Sequence, residues 1–287
     1  MQILTGIRDD EGLRTSFTDL AAETFGIDLE KWYAGGFWQD DYIPYAAVSD
    51  GRVISNVSVN VCNIRWKGRI RHLAQLGTVM TDKAYRGKGY CTAVMEKVLD
   101  TCSRSFEGVY LYAEEHMGPF YEKFGFMRVA EYRFSKSVNI TNHFDAEKIT
   151  MDSEDERNRM INIIQRREQY GDRIVVGNPG LFMFYLTGPL SDCVYYVPSS
   201  EAYVVAGQSG DELTVYAIFS DAKVSLGDVI SSFGSSVKHV TLAFTPENTT
   251  GFDRAKIDDP ENILFAKGEI FDGIRNDRFM FPRIAQA

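Results

Sequence analysis

At 287 residues the chain exceeds the usual size of one domain, so two domains of ordinary dimensions are expected. Its 31 Lys and Arg against 40 Asp and Glu leave a net charge of −9, which disfavours sequence-independent nucleic-acid binding and suits a neutral or cationic small partner. The four cysteines show no C-x-x-C pair, no run approaches membrane-spanning length, and the N-terminus lacks a basic region followed by an apolar one; a cytoplasmic protein with no metal and no membrane partner is expected.

Residues 2–8 can form a short strand, and 11–25 carry apolar residues at helical spacing (Leu13, Phe17, Leu20, Ala21, Phe25) before Gly26 ends the helix. A second short helix is expected from Asp28, whose carboxylate can accept from the first free amides, up to Gly35-Gly36. Extended segments follow at 42–48, 53–64 and 70–80. The turns between them fall at Asp50-Gly51 and Lys67-Gly68, where glycine tolerates the positive φ of a tight hairpin. Residues 86–89 make a glycine-containing loop before a helix over 90–102. A strand at 109–113, a short helix at 119–124 and a final strand at 126–138 complete the order β-α-α-β-β-β-α-β-α-β. A meander feeding a β-α-β crossover describes a mixed sheet rather than a doubly wound one.

Beyond a polar stretch at 139–145, residues 151–170 read as a helix with Glu154, Asp155 and Glu156 near its positive end. Strands are expected at 181–187, 194–197, 203–206, 213–219 and 239–244, and a helix at 226–233. The second half thus repeats meander, helix and strand in coarse form. Its segment 221–226 stands where the first half has the glycine loop, without that loop's pattern. The expected division is 1–140 and 141–287, the second unit being a smaller α+β domain that helps to form an acceptor site.

The chemistry concentrates in the first half. A strand ending at Val79-Met80-Thr81, then Arg86-Gly87-Lys88-Gly89 and at once a helix, presents unpaired amides at a positive helix end. Glycines allow close backbone approach, and Arg86 and Lys88 add charge, so a pyrophosphate fits there; a tight connection between elements is the plainer alternative. Trp32, Tyr33 and Trp38 with Asp40, Asp41 and Tyr42 combine aromatic walls with two acids, which suits either a bound amine or packing under the sheet.

The segment Arg86-Gly87-Lys88-Gly89-Tyr90-Cys91 resembles the R-x-x-G-x-[GA] motif of the GNAT acetyltransferases, and Phe120-Tyr121-Glu122-Lys123-Phe124-Gly125-Phe126 is similar to their F-Y-x-x-x-G-F signature. The resemblance covers residues 1–138 and includes the element order. It implies a mixed α/β fold with a central sheet flanked by helices, followed by a degenerate GNAT-like second domain. It also implies acetyl-CoA as acyl donor, held by Val79, Met80 and Thr81 along pantetheine and by Arg86, Gly87, Lys88, Gly89, Tyr90 and Cys91 at the pyrophosphate. Cys91 departs from the usual glycine or alanine. Tyr121 matches the tyrosine that would protonate the departing thiolate, an amphipathic core tyrosine being the alternative, and Trp38, Asp40 and Asp41 would hold the acceptor. Glu114 departs from a usual asparagine and is either a base, directly or through water, or a solvated strand-end carboxylate. The implied activity is N-acetylation of a primary amine on a small molecule or peptide; the alternative is a catalytically weak acyl-CoA-binding regulatory protein.

Overall fold

A computed structural model describes residues 2–141, 145–166, 169–221, 223–274 and 277–287. Parts of the expected polar stretch, of the helix at 151–170 and of the 221–226 loop fall outside these residues.

In chain order the elements are β1 (Gln2–Leu4), α1 (Glu11–Phe25), α2 (Glu30–Ala34), β2 (Tyr42–Ser49), β3 (Arg52–Trp66), β4 (Arg69–Thr81), α3 (Tyr90–Ser105), β5 (Gly108–Ala113), α4 (Gly118–Glu122), β6 (Met127–Val129) and β7 (Tyr132–Ser137). Then come β8 (Glu147–Lys148), α5 (Glu154–Gln165), β9 (Ile174–Val175), α6 (Pro179–Leu186), β10 (Val194–Val197), β11 (Ala202–Ser209), β12 (Glu212–Phe219), α7 (Leu226–Ser231), β13 (His239–Leu242), β14 (Asp253–Lys256) and β15 (Ile263–Lys267). Local chemistry explains the boundaries. The Asp10 carboxylate accepts from Leu13 N at 3.0 Å to start α1, and Gly26 closes it at φ 69°. Asp28 accepts from Glu30 N at 3.1 Å at the start of the second helix, from two residues before its first residue, Glu30.

The strands build two sheets with one plan. The first runs β1-β2-β3-β4-β5-β15-β6, with β9 beside β3; the second runs β8-β10-β11-β12-β13-β7-β14. In both, the fourth and fifth positions are parallel (β4 with β5, β12 with β13) and the other neighbours antiparallel. The strand in the sixth position is exchanged. β7 leaves the first sheet to lie between β13 and β14, and β15 returns from near the end of the chain to lie between β5 and β6.

Two expectations need correction here. The strand expected at 126–138 is two strands in two sheets, divided at Ala130-Glu131, where the Glu131 carbonyl accepts from Ile257 N at 2.9 Å. The segment 181–187 is not a strand but most of α6, which Asn178 caps by accepting from Leu181 N at 3.0 Å, with Pro179 in the first turn.

Apolar residues on one face of the first sheet (Val57, Val59, Leu76, Leu111, Phe265) pack against Val94, Met95 and Val98 of α3. The other face (Cys62, Ile64, Trp66, Leu73, Tyr110) packs against α1, α6 and the segment 279–285.

Candidate active site

The parallel ladder between β4 and β5 runs from the Leu73–Gly108 pair to the Leu76–Leu111 pair and ends there. Just beyond, β4 slips against β3: Gly77 faces Ser58 but Met80 faces Asn56, so β4 carries one extra residue. Thr78 sits in that bulge at φ 43°, a left-handed conformation that costs a β-branched residue about 1–3 kcal/mol. A polar cluster holds it: the Thr78 hydroxyl donates to Ser58 Oγ at 2.6 Å and lies 2.7 Å from the Tyr42 phenol, while Asn56 Nδ2 donates to the Thr78 carbonyl at 3.0 Å. The bulge carries β4 away from β5 and a cleft of 940 Å³ opens between the strands.

On the α3 side the cleft is lined by Val79, Met80, Thr81, Arg86, Gly87, Gly89, Tyr90 and Cys91. Gly89 caps α3 at φ 84° with no side-chain cap, which leaves the first-turn amides free. A Cβ on Gly87 (φ 73°) or Gly89 would meet nothing within 4 Å, so these positions need glycine for their conformation and look onto open space. Arg86 Nε donates to the Thr81 carbonyl at 3.1 Å, tying the loop to the strand end. Lys88 lies outside the lining, its Nζ 5.3 Å over the Tyr85 ring. Burial pushes the Cys91 thiol up, against the pull of the Thr81 and Ser55 hydroxyls, so the helix N-terminus does not make it a thiolate.

Tyr121 reaches the same cleft at 3% exposure, its ring 5.2 Å from Phe120, 6.1 Å from Phe126 and 5.7 Å from Phe265. Burial raises its phenol well above the ordinary value, with the Cys91 thiol adding to the shift, so the hydroxyl keeps its proton. Glu114 and His116 stand at the rim, exposed and paired with each other at 3.1 Å.

Several lining residues come from places the sequence reading did not reach. They are Thr24 and Phe25 at the end of α1, Tyr112 on β5, Glu261 and Ala287. Gly77 explains how Ala287 gets there: a Cβ on Gly77 would lie 2.7 Å from the carbonyl carbon of Ala287. Tyr112 had one signal, its alternation with Tyr110 in Tyr110-Leu111-Tyr112-Ala113. In contrast, Trp38, Asp40 and Asp41 do not line the cleft. Trp38 is 4% exposed among Phe17, Trp32, Tyr33 and Tyr42; Asp40 pairs with Arg8 at 2.9 Å; half-buried Asp41 is raised by burial and by Asp40. Packing of the α2 aromatics beneath the sheet therefore accounts for this region.

A strand bulge opening a β4–β5 cleft, against a helix that begins on free amides, prompts comparison with known proteins. Residues 13–129 match the acetyltransferase (GNAT) domain. The first half of this chain is thus similar to a GNAT domain. No curated protein gives a match. Among solved structures, a probable N-acyltransferase from Enterococcus faecalis is similar at 14% identity and TM-score 0.60, over 93% of this chain and 72% of that one. A GCN5-related N-acetyltransferase from Kribbella flavida gives 15% and 0.59 over 92% and 70%, and a putative acetyltransferase from Pyrococcus horikoshii gives 13% and 0.51 over 100% and 95%. At these identities the likeness is one of fold, and it extends across both sheets.

The cleft of the first sheet has a filled counterpart in the second sheet. The β12–β13 ladder ends at the Val215–Leu242 pair, but the chain itself enters the gap beyond: Gln169 bridges Phe219, Tyr170 N donates to the Ile218 carbonyl at 2.9 Å, and Asp172 N donates to the Thr245 carbonyl at 2.9 Å. Gly171 allows this close approach, since a Cβ there would stand 3.0 Å from the Thr245 carbonyl oxygen.

Proposed function

We propose that the protein is an acetyl-CoA-dependent N-acetyltransferase acting on a primary amine of a small molecule or peptide by direct attack in a ternary complex. The observation that carries this reading is the pairing of an open β4–β5 cleft with the uncapped start of α3 at one end and the buried, protonated Tyr121 within it. The free edge of β4 from Val79 to Thr81 suits side-by-side pairing with a pantetheine amide chain. The α3 amides with Arg86 and Gly87 to Cys91 suit the pyrophosphate, with Lys88 adding charge nearby. The amine lone pair attacks the thioester carbonyl, the C–S bond breaks as Tyr121 supplies a proton to the departing sulfur, and the surplus proton of the acylated nitrogen leaves through a protein group or water and restores the phenol. A backbone amide near Met80 stabilises the developing oxyanion.

The acceptor enters from the face bounded by Thr24, Phe25, Tyr112, Glu261 and Ala287, opposite α3. Glu114 and Glu261 make that entrance attractive to a cation, which fits the net charge of −9. In this reading 141–287 is a degenerate copy of the GNAT domain: it follows the same sheet plan, and its own slot is occupied by residues 169–172. Thermal stabilisation by acetyl-CoA, followed by CoA release with a panel of primary amines, tests the proposal. A protein neither stabilised by acetyl-CoA nor able to release CoA would overturn it.

A further inference from the structure

The amine that attacks must first lose a proton, because an ordinary primary ammonium ion has no lone pair. Glu114 and His116, the titratable pair at the cleft rim, are exposed to water and paired with each other. A buried carboxyl lies deeper. Glu131, 5% exposed, follows β6 at the point where the chain leaves for the second sheet. Its Oε1 accepts from the Tyr112 hydroxyl at 3.0 Å and from Phe281 N at 2.8 Å. Tyr112 lines the cleft, whereas Glu131 lines a separate hollow of 240 Å³ bounded by Arg128, Lys256 and Asp259. One hydrogen bond therefore connects a residue lining the cleft with a residue lining the hollow.

Resting on the acetyltransferase reading, we propose that Tyr112 and Glu131 form a proton wire that takes the proton of the acceptor ammonium from the cleft to the outer hollow. The acceptor N–H bond breaks as its proton passes to the Tyr112 oxygen, while the Tyr112 O–H bond breaks as that proton passes to Glu131. The products are a neutral amine, an unchanged phenol and a neutral carboxylic acid, so a cation and an anion disappear together. Glu131 then releases its proton to water in the hollow. Tyr112 touches the acceptor and Glu131 acts through it, as a positioning residue and proton sink.

The surroundings suit this role. Burial pushes the Glu131 carboxyl up from 4.5 to about 7, against the pull of Arg283, the Phe281 amide and the Tyr112 hydroxyl. Tyr112 is itself raised, by burial first and by Glu131 second, and so keeps its proton at rest. The groups facing Glu131 are Tyr110 and Tyr112 from β5, Arg283 from the 279–287 segment, and Arg128, Lys256 and Asp259 around the hollow. The wire accepts a proton only when Glu131 is a carboxylate. Activity therefore rises with pH through about 7 and is lost below it.

The test uses the full chain with acetyl-CoA and, as probes, 1,4-diaminobutane, a lysine-bearing peptide and a deoxystreptamine aminoglycoside. Glu131→Gln keeps an acceptor oxygen for Tyr112 and Phe281. It should lower kcat roughly 100-fold, abolish the acidic limb of the pH profile and leave acetyl-CoA affinity unchanged. Tyr112→Phe should do the same, and the double variant should be no slower than either single one, as for groups that act as a unit. If Glu131→Gln does not fold, Tyr112→Phe decides, since it removes only one oxygen. A folded variant with wild-type rate and wild-type pH limb, or additive losses in the double variant, overturns the wire alone. Wild-type protein that binds acetyl-CoA but acetylates no probe amine overturns the acetyltransferase reading and the wire with it.

Discussion

The role proposed for Tyr121 depends on its neighbours. Phe120, Phe126 and Phe265 exclude water from its ring, so the phenol holds its proton at the lining of the cleft. Tyr121→Phe preserves the packing and removes only the acid. Turnover should fall roughly 100-fold while acetyl-CoA affinity, read by calorimetry, changes little; an unaltered rate would remove Tyr121 from the chemistry. The motif around Tyr121 was readable because its spacing is local. Ala287 and Glu261 were not: they reach the cleft through the return of the chain after β14, and no local pattern encodes such a contact. The aromatic and acidic run at 32–42 reads both ways for the opposite reason, because composition alone does not distinguish a pocket wall from a packed layer, and here Trp32 and Trp38 stack on each other at 5.7 Å.

At the scale of elements, amphipathic segments announced themselves and uniformly buried ones did not. α1 and α3 each keep a polar face and were legible from spacing, α1 to the residue. α6 reads Pro-Gly-Leu-Phe-Met-Phe-Tyr-Leu, with six of its eight residues buried, so no period separates helix from strand. Only the Asn178-Pro179 start gives it away. The loop before α3 is a second case where a backbone conformation matters more than a side chain. Gly89→Val has room for its side chain but must adopt φ 84°, and that side chain stands in the space proposed for the pyrophosphate. Acetyl-CoA affinity should drop at least about tenfold, against a stability loss of about 1–2 kcal/mol by urea unfolding. Unchanged affinity in calorimetry would contradict the loop assignment.

For the whole molecule, the exchange of β7 and β15 governs what can be cut apart. The sequence suggested two consecutive units, 1–140 and 141–287, yet each sheet takes a strand from the other unit. The exchange was hidden because β7 and β15 have ordinary strand sequences that carry no mark of which sheet they join. A chain ending at residue 145 lacks β15, so β5 and β6 lose their shared partner, with Phe265 at 2% exposure beside Tyr121. Such a fragment should show no cooperative urea transition and no acetyl-CoA binding. A fragment that folds and binds would show that the first sheet closes without β15. Within the full chain, Phe265→Ala should cost about 3–5 kcal/mol, measured by the same unfolding experiment.

The returning strand also has a consequence for synthesis. Ala113 pairs with Ile263, so the first sheet cannot close until β15 has left the ribosome. Long-range pairing of this kind slows folding and leaves strand edges exposed meanwhile. During translation β5 and β6 wait as open edges until β15 arrives.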